Sequence, residues 1–83
     1  MKIRYFAWLR TRVGHVEEEI APPADVTTVR ALIDWLRAQS PRHGEALADT
    51  TAICVAVNHE FAELGDPVAA GDEIAFFPPV TGG

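Results

Sequence analysis

The sequence predicts an α+β fold, a mixed sheet with one main helix lying across one of its faces. Three observations predict it: an N-terminal alternation of period two, a single run of apolar residues at helical spacing, and short apolar runs between turn residues towards the C-terminus. With 83 residues there is room for one domain. The composition, 48% hydrophobic and 23% charged, is that of an ordinary globular chain.

Ile3, Tyr5, Ala7 and Leu9 alternate with Lys2, Arg4, Phe6 and Trp8, which reads as a first strand with two distinct faces. Gly14 marks a turn, and His15 to Ala21, with Val16 and Ile20 among glutamates, reads as a second strand hairpinned to the first. Pro22-Pro23 ends it. Asp25, Thr27 and Thr28 are candidate N-caps, and Val29, Leu32, Ile33 and Leu36 then fall on one face of a helix over Thr28 to Gln39. Ser40-Pro41 stops that helix, and Arg42 to Asp49 reads as a loop with a short helical turn. Ile53 to Val57 is a buried-looking strand. Asn58-His59 is a tight turn before Glu60 to Glu63, with Asn58 tolerating the left-handed conformation. Glu73 to Phe77 is the last strand. The order β-β-α-β-β-β, with one helix crossing a mixed sheet, suggests a roll of the β-grasp kind, with a domain over residues 1–77 and an extended tail over 78–83.

The formal charge is −5, and every Lys and Arg lies at or before Arg42, while seven acidic residues follow His43. Such a surface repels phosphate backbones and anionic lipid and steers towards a basic protein partner, so neither nucleic acid nor a membrane is expected as a ligand. The apolar runs are far shorter than the roughly 18 to 20 residues of a bilayer span, and the N-terminus has no apolar signal core, so a cytoplasmic location is expected. The single cysteine, Cys54, excludes an internal disulfide and a cluster-binding ferredoxin, and inside an apolar strand it reads as a small buried hydrophobe. His15, His43 and His59 sit in separate turns, without the spacing or carboxylate neighbours of a metal site or catalytic base. No nucleophile elbow or phosphate loop is present, so the side chains are expected to catalyse nothing alone, and neither a metal nor a bound cofactor is expected.

The C-terminus is the distinctive feature. Pro78 and Pro79 fix φ and hold Phe77 extended, so residues 78–83 should leave the domain as a stiff spoke reaching about 20 Å. Gly82 and Gly83 make a tip without Cβ atoms, suited to a channel too narrow for other residues. The ionised terminal carboxylate is a poor electrophile, so chemistry at the tip requires activation with ATP by another protein. By alternation, Phe6 and Trp8 point away from the helix, as does Phe77, and Phe61 joins them, which predicts an exposed aromatic docking patch beside the tail.

The segment Gly71-Asp72-Glu73-Ile74-Ala75-Phe76-Phe77-Pro78-Pro79-Val80-Thr81-Gly82-Gly83 closely resembles the C-terminus of MoaD-type proteins, the small subunit of molybdopterin synthase. The similarity extends to Phe6-Ala7 leading to Arg10 and Val13-Gly14, to Thr28-Val29 opening the helix, and to Ala56-Val57-Asn58 before the hairpin. The resemblance implies a ubiquitin-like β-grasp fold. It further implies that a MoeB-type activating enzyme uses ATP to adenylate the Gly83 carboxylate, and that a sulfur donor protein converts it to a thiocarboxylate. The tail, Pro78 to Gly83, then enters a MoaE-type large subunit and gives its sulfur to cyclic pyranopterin monophosphate during molybdenum cofactor biosynthesis. The implied assembly is a heterotetramer with sulfurtransferase activity, in which Arg10 resembles a partner-contacting arginine of the family and would join the patch of Phe6, Phe61 and Phe77 that alternation predicts. The alternatives are a sulfur carrier of thiazole synthesis, a ubiquitin-like protein modifier joined through Gly83, and a binding module with an inert tail.

Overall fold

In the computed structural model, which describes residues 1–79, the chain runs through β1 (Lys2–Tyr5), α1 (Trp8–Val13), β2 (Glu17–Glu19), α2 (Val29–Arg37) and α3 (Pro41–Ala46). A 3-10 turn (Thr50–Ala52) then leads into β3 (Cys54–Val57), β4 (Glu60–Ala62) and β5 (Glu73–Phe77). The strands form one sheet in the order β2-β1-β5-β3-β4. β1 and β5 are parallel, and every other neighbouring pair is antiparallel. This is the mixed β-grasp sheet that the element order suggested.

Strand alternation divides the residues between two faces. Ile3 and Tyr5 of β1, Val55 of β3, and Ile74 and Phe76 of β5 are buried on one side. Against them α2 lays Val29, Leu32, Ile33 and Leu36, the stripe that its sequence spacing defines. Each such side chain contributes roughly 1.5–3 kcal/mol when taken out of water, so this layer carries most of the fold. Thr28 stays extended and its Oγ1 accepts a hydrogen bond from the Ala31 N–H at 3.1 Å, so it is the cap of α2, and the helix ends at Arg37, short of Gln39. The Asn58-His59 turn has φ of 50° and 70°, the paired left-handed residues of a tight hairpin, as expected at Asn58.

Three local expectations are corrected. The first strand stops at Tyr5 instead of continuing to Leu9. Ala7 adopts φ 56° and ψ −132°, and the Leu9 N–H donates to the Phe6 carbonyl at 3.2 Å, so the chain turns sharply and enters α1. Leu9 and Val13, four residues apart, are both buried on α1, and Trp8 therefore lies on this helix and not on the open sheet face. Gly14 closes α1 as a left-handed cap at φ 91°, its N–H donating to the Arg10 carbonyl at 2.9 Å, and is not the turn of a β1–β2 hairpin. The short helical turn expected within Arg42 to Asp49 is a six-residue helix that begins earlier, at Pro41. Ser40 caps α3 by accepting from the His43 N–H at 3.1 Å, and Pro41 occupies the first turn, so the pair that stops α2 also starts α3.

The Arg42 guanidinium binds the end of α1 to α3, donating to the carbonyls of Arg12 at 3.0 Å and Thr11 at 3.2 Å. A Cβ at Gly14 would stand 2.8 Å from Arg42 Nη1, at a backbone conformation that side chains disfavour. Gly14→Ala is predicted to lower stability by roughly 1–2 kcal/mol in urea denaturation. An unchanged midpoint would show that Arg42 yields at no cost and that the α1–α3 clamp is not stabilising.

Candidate functional site

Among the described residues, no layer packs on the face of the sheet opposite the helices. It carries Lys2 and Arg4 from β1, Cys54 and Ala56 from β3, Glu73, Ala75 and Phe77 from β5, and Phe61 from β4. The registers set these side chains in rows. Arg4, Ala75, Ala56 and Phe61 lie side by side across the sheet, and Phe77 and Cys54 form the next row towards the tail. The Phe6 N–H donates to the Phe76 carbonyl at 3.0 Å, which seats Phe6 at the same end. The lower rows are charged: Lys2 Nζ is 3.6 Å from Glu17, and Glu73 lies 3.9 Å from Arg4 and 3.4 Å from His59.

Small residues make the apolar end concave. Ala56 and Ala75, directly paired, form the floor of a shallow groove walled by Phe6, Phe77, His59 and the two prolines Pro78 and Pro79. Phe61 is 82% exposed and its ring centroid lies 5.8 Å from that of Phe77. Phe6 is 39% exposed, with the Arg4 guanidinium 5.4 Å from its ring centroid. The structure thus gathers Phe6, Phe61, Phe77, Pro78 and Pro79 at one place, the root of the tail. Arg10 is exposed on α1. Val80, Thr81, Gly82 and Gly83 lie outside the described residues.

Two readings of single residues are corrected. Cys54 is half-buried on the open face opposite Phe77, because the inward position in β3 belongs to Val55. The histidines do have carboxylate neighbours. His43 is buried on α3, its Nε2 2.7 Å from Glu18 and its Nδ1 2.7 Å from Ser40 Oγ, and the Tyr5 hydroxyl donates to the same Glu18 oxygen at 2.6 Å. Sequence spacing carried the signal. Glu18 is the middle of three glutamates on a two-faced strand, and His43 precedes buried Ala46 and Leu47 at helical intervals. Burial pushes the Glu18 carboxyl up, but the hydrogen bonds from Tyr5 and His43 and the charges of His43 and His15 outweigh it and hold it below the usual carboxylate range. Burial, aided by Glu18, pushes the Tyr5 hydroxyl far above its ordinary value. This cluster joins β1, β2 and α3 on the helix side, away from the groove, and is a structural tether.

The fold and this face define a small β-grasp protein with an unpartnered aromatic face at the root of its C-terminal tail. The chain belongs to the ThiS family, which it matches over residues 3–83. It is 45% identical to the molybdopterin synthase sulfur carrier subunit of Escherichia coli K12, over all of this chain and 99% of that one. Among solved structures, a putative molybdopterin converting factor subunit 1 from Pyrococcus furiosus superposes with a TM-score of 0.76 at 31% identity, covering 95% of each chain. Small archaeal modifier protein 1 from Haloferax volcanii superposes with a TM-score of 0.75 at 33% identity, covering 99% of this chain and 97% of that one. The ubiquitin-like β-grasp fold and the resemblance to molybdopterin synthase sulfur carriers are therefore established.

Because the folded Glu18 carboxyl lies below its unfolded value, its contribution is present above the unfolded carboxylate range and is lost as pH falls through the folded value. Urea midpoints measured from neutral pH downwards should fall in the acid range, and the Glu18→Gln protein should be less stable at neutral pH with a flatter acid limb. Parallel curves for the two proteins would remove Glu18 from the acid response.

Proposed function

We propose that this protein is the sulfur-carrying small subunit of a molybdopterin synthase. The observation that carries the reading is the coincidence of an unpartnered aromatic face with the root of a Pro-Pro-Val-Thr-Gly-Gly tail, in a chain 45% identical end to end to such a carrier. In the first step an ATP-dependent activating enzyme converts the Gly83 carboxylate to an acyl adenylate, releasing pyrophosphate. A sulfur donor protein then displaces AMP and leaves a terminal thiocarboxylate. The groove of Phe6, Phe77, Pro78 and Pro79, with Phe61 at its rim, docks on the large subunit, and the glycine tip carries the sulfur to a buried cyclic pyranopterin monophosphate.

The chain's own part is affinity and aim. Exposed aromatics desolvate at low entropic cost, which makes them effective anchors. Prolines at the root restrict the directions in which the tail can leave. A thiocarboxylate is a softer nucleophile than a carboxylate, and the bare tip lets it reach an enclosed substrate. The chain holds no cofactor on this reading; ATP belongs to the activating enzyme.

Intact-protein mass spectrometry after incubation with a MoeB-type activating enzyme, ATP and sulfide should show the gain of one oxygen exchanged for sulfur, absent when Gly83 is deleted. No adduct and no pyrophosphate exchange would end the carrier reading and favour the inert module. Conjugation of Gly83 to lysines of other proteins, in place of the sulfur adduct, would favour a modifier, the role that the name of the Haloferax relative, small archaeal modifier protein 1, gives that protein.

Phe77→Asp places a charge in the centre of the docking face and is predicted to weaken association with the large subunit by roughly 2 kcal/mol or more, with little change in thermal stability. Unchanged affinity by calorimetry would take Phe77 out of the interface.

A further inference from the structure

Backbone strain is concentrated at the groove. Among the described residues, three that are not glycine have φ in the left-handed range: Ala7 at 56°, Asn58 at 50° and His59 at 70°. Asparagine tolerates that range. The other two stand at the groove: Ala7 directly follows Phe6, which forms one wall, and His59 forms part of another. Gly14 at 91° and Gly71 at 89° also have positive φ, and neither lines the groove. A Cβ at Gly71 would meet nothing within 4 Å, so there is room for a side chain there and only the backbone conformation disfavours one. Away from the groove the chain uses glycine where φ is positive, and beside it the chain keeps a side chain.

At both positions the turn itself favours glycine. His59 is the second central residue of the β3–β4 hairpin, and with φ positive at both central residues the usual occupant is glycine. Histidine enters this range more readily than most residues, but glycine enters it without steric penalty. Ala7 is further out. Its φ of 56° and ψ of −132° belong to the first central residue of a turn that the Leu9 N–H closes on the Phe6 carbonyl at 3.2 Å, where glycine dominates. Neither side chain is repaid inside the domain. Ala7 is exposed, and the His59 side chain is 80% exposed, its Nε2 3.4 Å from Glu73 in a surface contact of the kind that contributes little. Conformations of this sort persist where a binding site depends on them.

We propose that both side chains are retained for docking. His59 is a contact residue: its ring stands between the apolar end of the open face and the charged rows around Glu73, and it packs against the large subunit seated in the groove. Ala7 is a positioning residue. Phe6 is held by its N–H on the Phe76 carbonyl at 3.0 Å and by its carbonyl on the Leu9 N–H, and the Cβ of Ala7 narrows the torsions between those two bonds, so that the Phe6 ring is presented in one direction. The inference rests on the proposed function and adds two residues to its docking surface, one of which touches the partner and one of which acts through Phe6.

The test sets stability against affinity in the full-length chain. His59→Gly and Ala7→Gly should have urea midpoints no lower than wild type, because relief of strain offsets the freedom that glycine adds to the unfolded chain. Their affinity for a MoaE-type large subunit, measured by calorimetry, should nevertheless fall, roughly tenfold for His59→Gly and severalfold for Ala7→Gly. Gly71→Ala should do the reverse, with a lower midpoint and unchanged affinity. The inference is overturned if the large subunit binds both glycine variants as tightly as wild type, or if affinity falls only where the midpoint falls, Gly71→Ala included. Failure of wild type itself to bind would sink the proposed function, and the inference with it.

Discussion

The pairing of the first strand with the last holds the rest of the structure in place. β1 and β5 lie parallel at the middle of the sheet, so everything between them must serve as a crossover, and no local segment can form the sheet alone. Polar contacts fix where β5 begins: the Lys2 N–H donates to the Asp72 carbonyl at 3.0 Å, and Asn58 links to both Asp72, at 3.1 Å, and the Glu73 N–H, at 3.0 Å. With Ile3 opposite Ile74 and Tyr5 opposite Phe76, the rings of Tyr5 and Phe76 stack at 6.0 Å beneath the helices. A slip of one residue would bury Phe77 and expose Phe76, removing core and docking face together. The cost of this topology is kinetic, since non-local pairing slows folding relative to helical chains.

That register also makes the open face uneven. Towards the start of β5 the rows are charged and paired with one another, and exposed ion pairs of this kind contribute little to stability. Towards its end they are aromatic or alanine, and no layer among the described residues packs on them. Exposing Phe61 and Phe6 to water there gains the domain nothing, which is why a patch of this kind marks an interaction site. On the proposed reading, the charged rows help to fix orientation on a partner more than they add affinity.

Much of this was legible in the sequence. The stripe of α2, the bounds of β5, the Asn58 turn and the outward aromatics Phe6, Phe61 and Phe77 follow from periodicity and turn chemistry, because these elements are long enough or sharp enough to show a period. α1 was not legible. Ala7 and Leu9 satisfy a strand period of two, while Leu9 and Val13 satisfy a helical spacing of four, and only the left-handed φ of Ala7 decides between them. Alanine gives no warning of that conformation, since glycine is the residue expected there. α3 was legible only as a short helical turn, because Ser40-Pro41 reads first as the stop of α2 and only second as the cap and first turn of a new helix. The Glu18–His43 contact joins residues 25 apart in sequence, on a strand and a short helix whose relative placement no local period gives, so its partners could not be matched in advance.

On the proposed reading, docking and chemistry are kept in separate parts of the chain, and this separation has an energetic consequence. The aromatic face is the same whether Gly83 ends in a carboxylate, an adenylate or a thiocarboxylate, so affinity gained there cannot tell a charged carrier from a spent one. An activating enzyme and a large subunit that both use this face bind in competition. Each must then release the carrier between steps, which limits how tightly the face can hold either of them. Discrimination between the chemical states must come from the tip, where a partner channel reads one terminal group. A rigid sheet with a modest, general docking patch and a small variable terminus meets both demands, and the β1–β5 register is what puts the end of β5, with Phe77, at the patch.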